Sequence, residues 1–253
     1  MTSIPVIVTK ETFDPKKLSF GEPKTVKIGA NGTMSKMPIK YDGKDLVLQT
    51  PVFNRCTIRQ FEKKTNEDKN AVMMYQSIQY NDEEEYRQAL IEKISDAVKQ
   101  YIRTNVRTLF NRKKDTVSDL TFNSHVQEPA DYCASIKTSV PTTSRDTMDL
   151  AEAIKAYRDT TEELTKQELA DILSDNNGHV SARALISVPY AYTLNNKQYG
   201  FKTHLCTLDL KEKPMDGVEP IAEERHMSKE SVSGELSNMP KLLGNAFIDV
   251  HLI

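Results

Sequence analysis

Two groups of basic and aromatic side chains are the residues best suited to do chemistry. The first is Phe53, Arg55, Arg59, Lys63 and Lys64; the second is Tyr190, Tyr192, Lys197, Tyr199, Phe201 and Lys202. Cations pair with phosphates and rings stack on bases, which is how proteins hold unpaired polynucleotides; each stacked base contributes about 1–3 kcal/mol. Arg55, Arg59, Lys63, Lys197 and Lys202 are the candidates for phosphates, and Phe53, Tyr190, Tyr192 and Tyr199 for stacking. The competing role for each ring is a cross-strand core pair, the usual use of aromatics in sheets.

Catalytic chemistry finds no comparable support. The chain has no glycine-rich phosphate loop with a lysine, no paired-glycine dinucleotide fingerprint, no serine elbow and no His-Glu-x-x-His. His125, His179, His204, His226 and His251 are isolated in sequence, and with Cys56, Cys133 and Cys206 they give no zinc spacing. Between Asp171 and Gly178 the alternate positions include Leu173, which breaks a calcium-loop pattern. The expectation is a protein that is not an enzyme and needs neither cofactor nor metal.

The elements that must position these groups read as mostly strands. Short apolar runs at Pro5 to Thr9, Lys24 to Gly29, Met37 to Tyr41, Leu46 to Thr50 and Ala71 to Tyr80 are separated by turn residues. Asp42-Gly43 between two of them is a strong hairpin signal. Tyr86, Leu90, Ile94, Val98, Ile102, Val106 and Leu109 recur at three- and four-residue steps, which predicts one long helix from about Asp82 to Phe110, capped by Asn81 or Asp82. Its far end is basic, and Lys99, Arg103 and Arg107 form one ridge. Ala134 to Val140 reads as a strand and Asp149 to about Glu163 as a second amphipathic helix. Thr165-Lys166-Gln167-Glu168 matches a capping box, so a third helix runs to Leu173, with Gly178 as its left-handed cap. Ala182 to Pro189, Tyr190 and Tyr192 lead into an Asn195-Asn196 turn and a second arm from Gln198 to Leu210; Ala246 to Ile253 reads as a closing strand. The whole is one domain, 1–253, with a helical insertion at 142–178.

Of the 253 residues, 38% are hydrophobic and 28% charged, polar for a globular chain but well short of a disordered composition. No eighteen-residue apolar window offers a membrane span. The net charge of −2 is unlike a strongly basic nucleic-acid binder, but it is unevenly spread. Residues 1–60 hold ten Lys or Arg against five Asp or Glu, whereas residues 121–180 hold five against eleven. Three widely spaced cysteines suit reduced thiols and an intracellular, reducing compartment.

The stretch Ile39-Lys40-Tyr41-Asp42-Gly43-Lys44-Asp45-Leu46-Val47-Leu48-Gln49-Thr50-Pro51 resembles the N-terminal signature of a protein family of nucleocytoplasmic large DNA viruses, with its aromatic–Asn/Asp–Gly turn, short apolar strand and Gln-Thr-Pro. That family is similar to the OB-fold single-stranded DNA-binding proteins of phage and virus replication. Phe53-Asn54-Arg55 departs from the family's usual Phe-Gly after the proline. The resemblance implies an α+β fold: an OB-like antiparallel β-barrel with one long helix and an inserted helical segment. It also implies sequence-tolerant binding of single-stranded DNA in viral replication or recombination, with replication proteins as further partners and the host cytoplasm or nucleus as the place. Self-association stays open. The alternative, from a different class, is a virion or scaffold protein that assembles through a β-rich domain.

Overall fold

A computed structural model describes residues 4–28, 32–61, 71–110, 119–128, 132–141, 154–176 and 179–211, the side chains of 60, 61 and 71 apart. In chain order its elements are strands β1 (Val6–Val8), β2 (Leu18–Phe20), β3 (Lys24–Ile28), β4 (Gly32–Tyr41), β5 (Lys44–Gln49), β6 (Phe53–Phe61) and β7 (Ala71–Ser77). Helix α1 (81–110) follows, then β8 (Thr121–Phe122), β9 (Val126–Gln127), β10 (Ser135–Val140), β11 (Lys155–Arg158), β12 (Glu162–Leu164), helix α2 (Lys166–Asp175), β13 (His179–Leu194) and β14 (Gln198–Lys211). The strand expected at Ala246 to Ile253, the Gly178 cap and Lys63 lie outside the described residues.

The chain divides into two compact units, and α1, β13 and β14 each contribute to both. The first comprises Met1–Leu48, Gln88–His125 and Ser187–Thr203; the second comprises Gln49–Arg87, Val126–Ile186 and His204–Ile253.

In the first unit β4 is the central strand. It pairs antiparallel with β2, β3, β5 and β13, and β1 lies parallel to β5. Asp42 (φ 51°) and Gly43 (φ 76°) both adopt the left-handed conformation that a two-residue hairpin turn requires, so the Asp-Gly signal is read correctly. Asn195 (φ 49°) and Asn196 (φ 53°) make the equivalent turn between β13 and β14. Asn195 also extends the sheet: its backbone N–H donates to Thr33 O (2.9 Å) and its Oδ1 accepts from Thr33 N (3.0 Å).

The second unit is a closed ring of five strands. β6 pairs antiparallel with β7 and β7 with β10; β10 runs parallel to β14, which pairs with β13, and β13 returns antiparallel to β6. Numbered along the chain, the ring order is 1-2-3-5-4, which is the OB arrangement of a five-stranded Greek-key barrel. The fold is therefore α+β, with α1 inserted between the second and third ring strands. The ring's interior includes Phe53, Cys56, Ile58, Val72, Met74, Ile136, Val180 and Ala182, each at most 9% exposed.

The sequence shows no strand signal over Phe53–Phe61, because burial along β6 does not alternate. Phe53 and Cys56 are both buried although three residues apart. The ladder with β13 explains this: Val180 faces Cys56 and Ala182 faces Phe53, so Asn54 and Arg55 oppose Ser181 alone. Such a bulge adds one residue and shifts the face of everything beyond it. Asn54 N donates instead to Glu83 Oε1 (3.0 Å). The other carboxylate oxygen of Glu83 accepts from Gln79 N and Tyr80 N. The helix N-cap is thus Tyr80, with Glu83 reaching back, rather than Asn81 or Asp82.

The long helix forms as the apolar stripe requires. A strict four-residue step drifts about 40° per repeat on a 3.6-residue helix. Arg87–Glu92 adopts a wider π turn that takes up part of this drift and buries Leu90 and Ile91 together. Tyr86, Ile94, Val98, Ile102 and Val106 are all fully buried.

The helix expected over Asp149 to Glu163 is absent from its described part. β11 and β12 form a hairpin there, and β11 pairs parallel with β14. Asp159 (φ 47°) and Thr160 (φ 64°) turn the chain, and Thr160 N donates to buried Asp209 Oδ1 (2.7 Å). Tertiary pairing overrides the local period: Ala156 and Tyr157 are both buried, which no single helical stripe demanded. α2 does form, with Thr165 Oγ1 accepting from Glu168 N (3.2 Å) and the Glu168 carboxylate accepting from Thr165 N (2.8 Å).

Candidate nucleic-acid interface

The bulge that buries both Phe53 and Cys56 turns Arg55, Thr57 and Arg59 to the outside of the barrel. Arg55 and Arg59 are exposed. No ion pair joins either to a carboxylate among the described residues. Thr57 faces Tyr75 on one side and His179 on the other, and Tyr75 in turn faces Lys137 on β10. One transverse row therefore runs His179–Thr57–Tyr75–Lys137 across four barrel strands, with Arg55 and Arg59 above and below it. Residues directly opposite on a sheet have Cβ atoms about 5 Å apart and diagonal ones about 7–8 Å, within reach of long side chains.

The electrostatics follows from this proximity. Burial pushes the Tyr75 phenol up from its ordinary value, and Arg59 opposes that shift. His179 is held below its ordinary value, first by burial and then by Arg55 and Arg59. Its Nδ1 lies 2.8 Å from Thr57 Oγ1. A surface with two exposed guanidinium groups, a lysine and a half-buried tyrosine can accept phosphates and present a ring to a base.

The second predicted group sits in the first unit. There β3, β4 and β13 align Lys24, Lys36 and Tyr192 in one row and Pro38 opposite Tyr190 in the next. Lys36 Nζ stands 4.8 Å from the centroid of the half-buried Tyr190 ring. Tyr192 is tethered: Asn123 Nδ2 donates to its hydroxyl (3.0 Å), and the ring lies so close to Gly200 that a Cβ there would come within 3.2 Å of the hydroxyl. Lys197 is exposed at the turn. Lys202 is half-buried and already engaged in a contact.

Two rings expected to stack on bases are placed otherwise. Phe53 is 0% exposed and packs edge-on against Tyr86, centroids 5.9 Å apart. Tyr199 is 7% exposed and packs on Phe122 at 5.3 Å; Lys99 Nζ lies 4.8 Å from the centre of the Phe122 ring. Both serve the core, the competing role for rings in sheets. Arg55 and Arg59 belong to one unit, and Tyr190, Tyr192, Lys197, Tyr199 and Lys202 to the other.

Sequence reasoning missed Tyr75, Lys137, His179, Lys24 and Lys36. Alternation could have flagged two of them: Val72, Met74 and Gln76 point inward, leaving Tyr75 outward, and Ile136, Thr138 and Val140 do the same for Lys137. His179 could not be found that way, since its partners are 122 residues distant.

No known protein family and no curated protein matches the sequence. Among solved structures, a single-stranded DNA-binding protein from bacteriophage Enc34, in complex with ssDNA, is similar at 13% identity, covering 79% of this chain and 99% of that one with a TM-score of 0.34. A single-stranded DNA binding protein encoded by bacteriophage T7 is similar at 10% identity, covering 72% and 98% with a TM-score of 0.37. A C-terminally truncated form of the Enc34 protein gives 13% identity and a TM-score of 0.31, over 79% and 98%.

Proposed function

We propose that this chain is a non-enzymatic protein that binds single-stranded DNA across the outer face of its five-stranded barrel. The observation that carries it is the placement of exposed Arg55 and Arg59 on either side of the His179–Thr57–Tyr75–Lys137 row. The arginines and Lys137 contact phosphates and Tyr75 stacks on a base. Viral DNA replication or recombination, replication proteins as partners and an intracellular site follow from the sequence resemblance and belong to the same proposal. Binding is tolerant of sequence, and its affinity falls as salt rises, because cations displace counterions from the strand. Fluorescence anisotropy with labelled oligo-dT at two salt concentrations tests it; absence of binding at low salt ends the proposal.

A second reading has its own observation. β3 is exposed along its whole length, with Val26 40% and Ile28 39% exposed, and among the described residues it pairs on one side only. An edge of this kind favours strand-to-strand assembly, as in a scaffold protein. Sedimentation with and without oligonucleotide separates the two: assembly without DNA affinity supports the scaffold.

A further inference from the structure

His179 stands between Arg55 and Arg59 on the outer barrel face, directly across the ladder from Thr57. The charges that act on it are those two arginines from β6; Tyr75 stands beyond Thr57 on β7. The end of α2, with Asp175, precedes it, and His179 N donates to Asn176 O (2.9 Å). We propose that His179 is a conditional third cation of this cluster: it takes up a proton when a phosphate docks beside Arg55 and Arg59, so that the hold on single-stranded DNA tightens as the medium is acidified. This rests on the DNA-binding reading above and adds a pH response to it.

The chemistry is self-consistent at each partner. In the free protein partial burial, and then the two guanidinium charges, favour the neutral imidazole and hold it below its ordinary value of 6.5. A phosphate brings negative charge to the same place, offsets the guanidinium groups and favours the protonated ring. Thr57 does not obstruct the change, because its hydroxyl can donate to a neutral Nδ1 or turn and accept from a protonated one. A proton bound more tightly in the complex than in the free protein makes affinity rise as pH falls. The slope is at most tenfold per pH unit for one group.

The test is anisotropy of labelled oligo-dT against the full chain from pH 5.5 to 7.5 at fixed salt. Thymine has no group that titrates in this range, so the response reports the protein. The native chain is expected to gain several-fold in affinity per pH unit as pH falls across this range. His179→Gln is expected to lose most of that gain, its affinity changing little between pH 7.5 and 5.5. Titration of the His179 ring by NMR, without and with oligo-dT, provides a readout free of substitutions: the midpoint is expected to move up on binding. A pH response that survives in His179→Gln, or an unmoved ring midpoint, overturns the inference while DNA binding stands. Absence of binding at every pH overturns the functional proposal itself.

Discussion

The barrel face and the β13–β14 hairpin both bring rings and cations together, but they use them differently. On the barrel face Arg55 and Arg59 are exposed and Tyr75 is half-buried beside them. At the hairpin Tyr190 is held beneath Lys36, Tyr192 is tied to Asn123, and Tyr199 is packed against Phe122. The surrounding charge is reversed. Described residues of the hairpin's unit hold fourteen Lys or Arg against eight Asp or Glu, a surplus of six; those of the barrel's unit hold nine against twelve, a deficit of three. The more open cation cluster therefore sits on the more acidic unit. Local placement, not the sign of the surroundings, marks the stronger candidate.

The two faces of β6 give the sharpest contrast. Phe53→Ala is expected to cost about 3–5 kcal/mol of stability, as truncation of a buried ring does, measured by urea denaturation. Arg59→Ala should leave the urea midpoint nearly unchanged, since surface substitutions shift stability by at most about 0.5 kcal/mol.

The support beneath the barrel face should respond to pH. Burial raises Glu83, 1% exposed, to about 7, against the three backbone N–H groups that favour its charge. The folded state then holds a proton that the unfolded chain releases near pH 4.5. This contribution to stability is full below about pH 4.5, is lost as pH rises to about 7, and is flat above that. Each pKa unit is worth about 1.4 kcal/mol. Glu83→Gln should remove the share of the slope in urea midpoint against pH that Glu83 contributes between about pH 4.5 and 7.

Smaller effects compare the two regions in binding. Tyr75→Ala is expected to cost about 1–3 kcal/mol in oligo-dT affinity, and Tyr199→Ala to lower stability instead. Equal losses of affinity from the two would erase the distinction between them. Arg55→Ala with Arg59→Ala should reduce the slope of log affinity against log salt by about two, one for each phosphate contact. Lys36→Ala, whose charge already lies over Tyr190, should change it by less than one.

Much of the fold was legible because its signals are local. Asp42-Gly43 and Asn195-Asn196 specify left-handed turns by residue type, and the α1 stripe follows from helical spacing. The Thr165–Glu168 box forms as spelled. What escaped depends on distant partners. The β6 bulge breaks alternation only in register with β13. The β11–β12 hairpin exists because β14 and Asp209 hold it. The candidate site divides the same way. Arg55 and Arg59 were visible as cations beside a ring, but the ring beside them is Tyr75, brought by β7, and not Phe53, which the bulge turns inward.

The most direct test of the barrel-face proposal is an NMR titration of isotope-labelled protein with oligo-dT, following backbone amides. The expected result is perturbation concentrated at Arg55, Thr57, Arg59, Tyr75, Lys137 and His179. Perturbation confined to residues 190–199, or none at low salt, would contradict it.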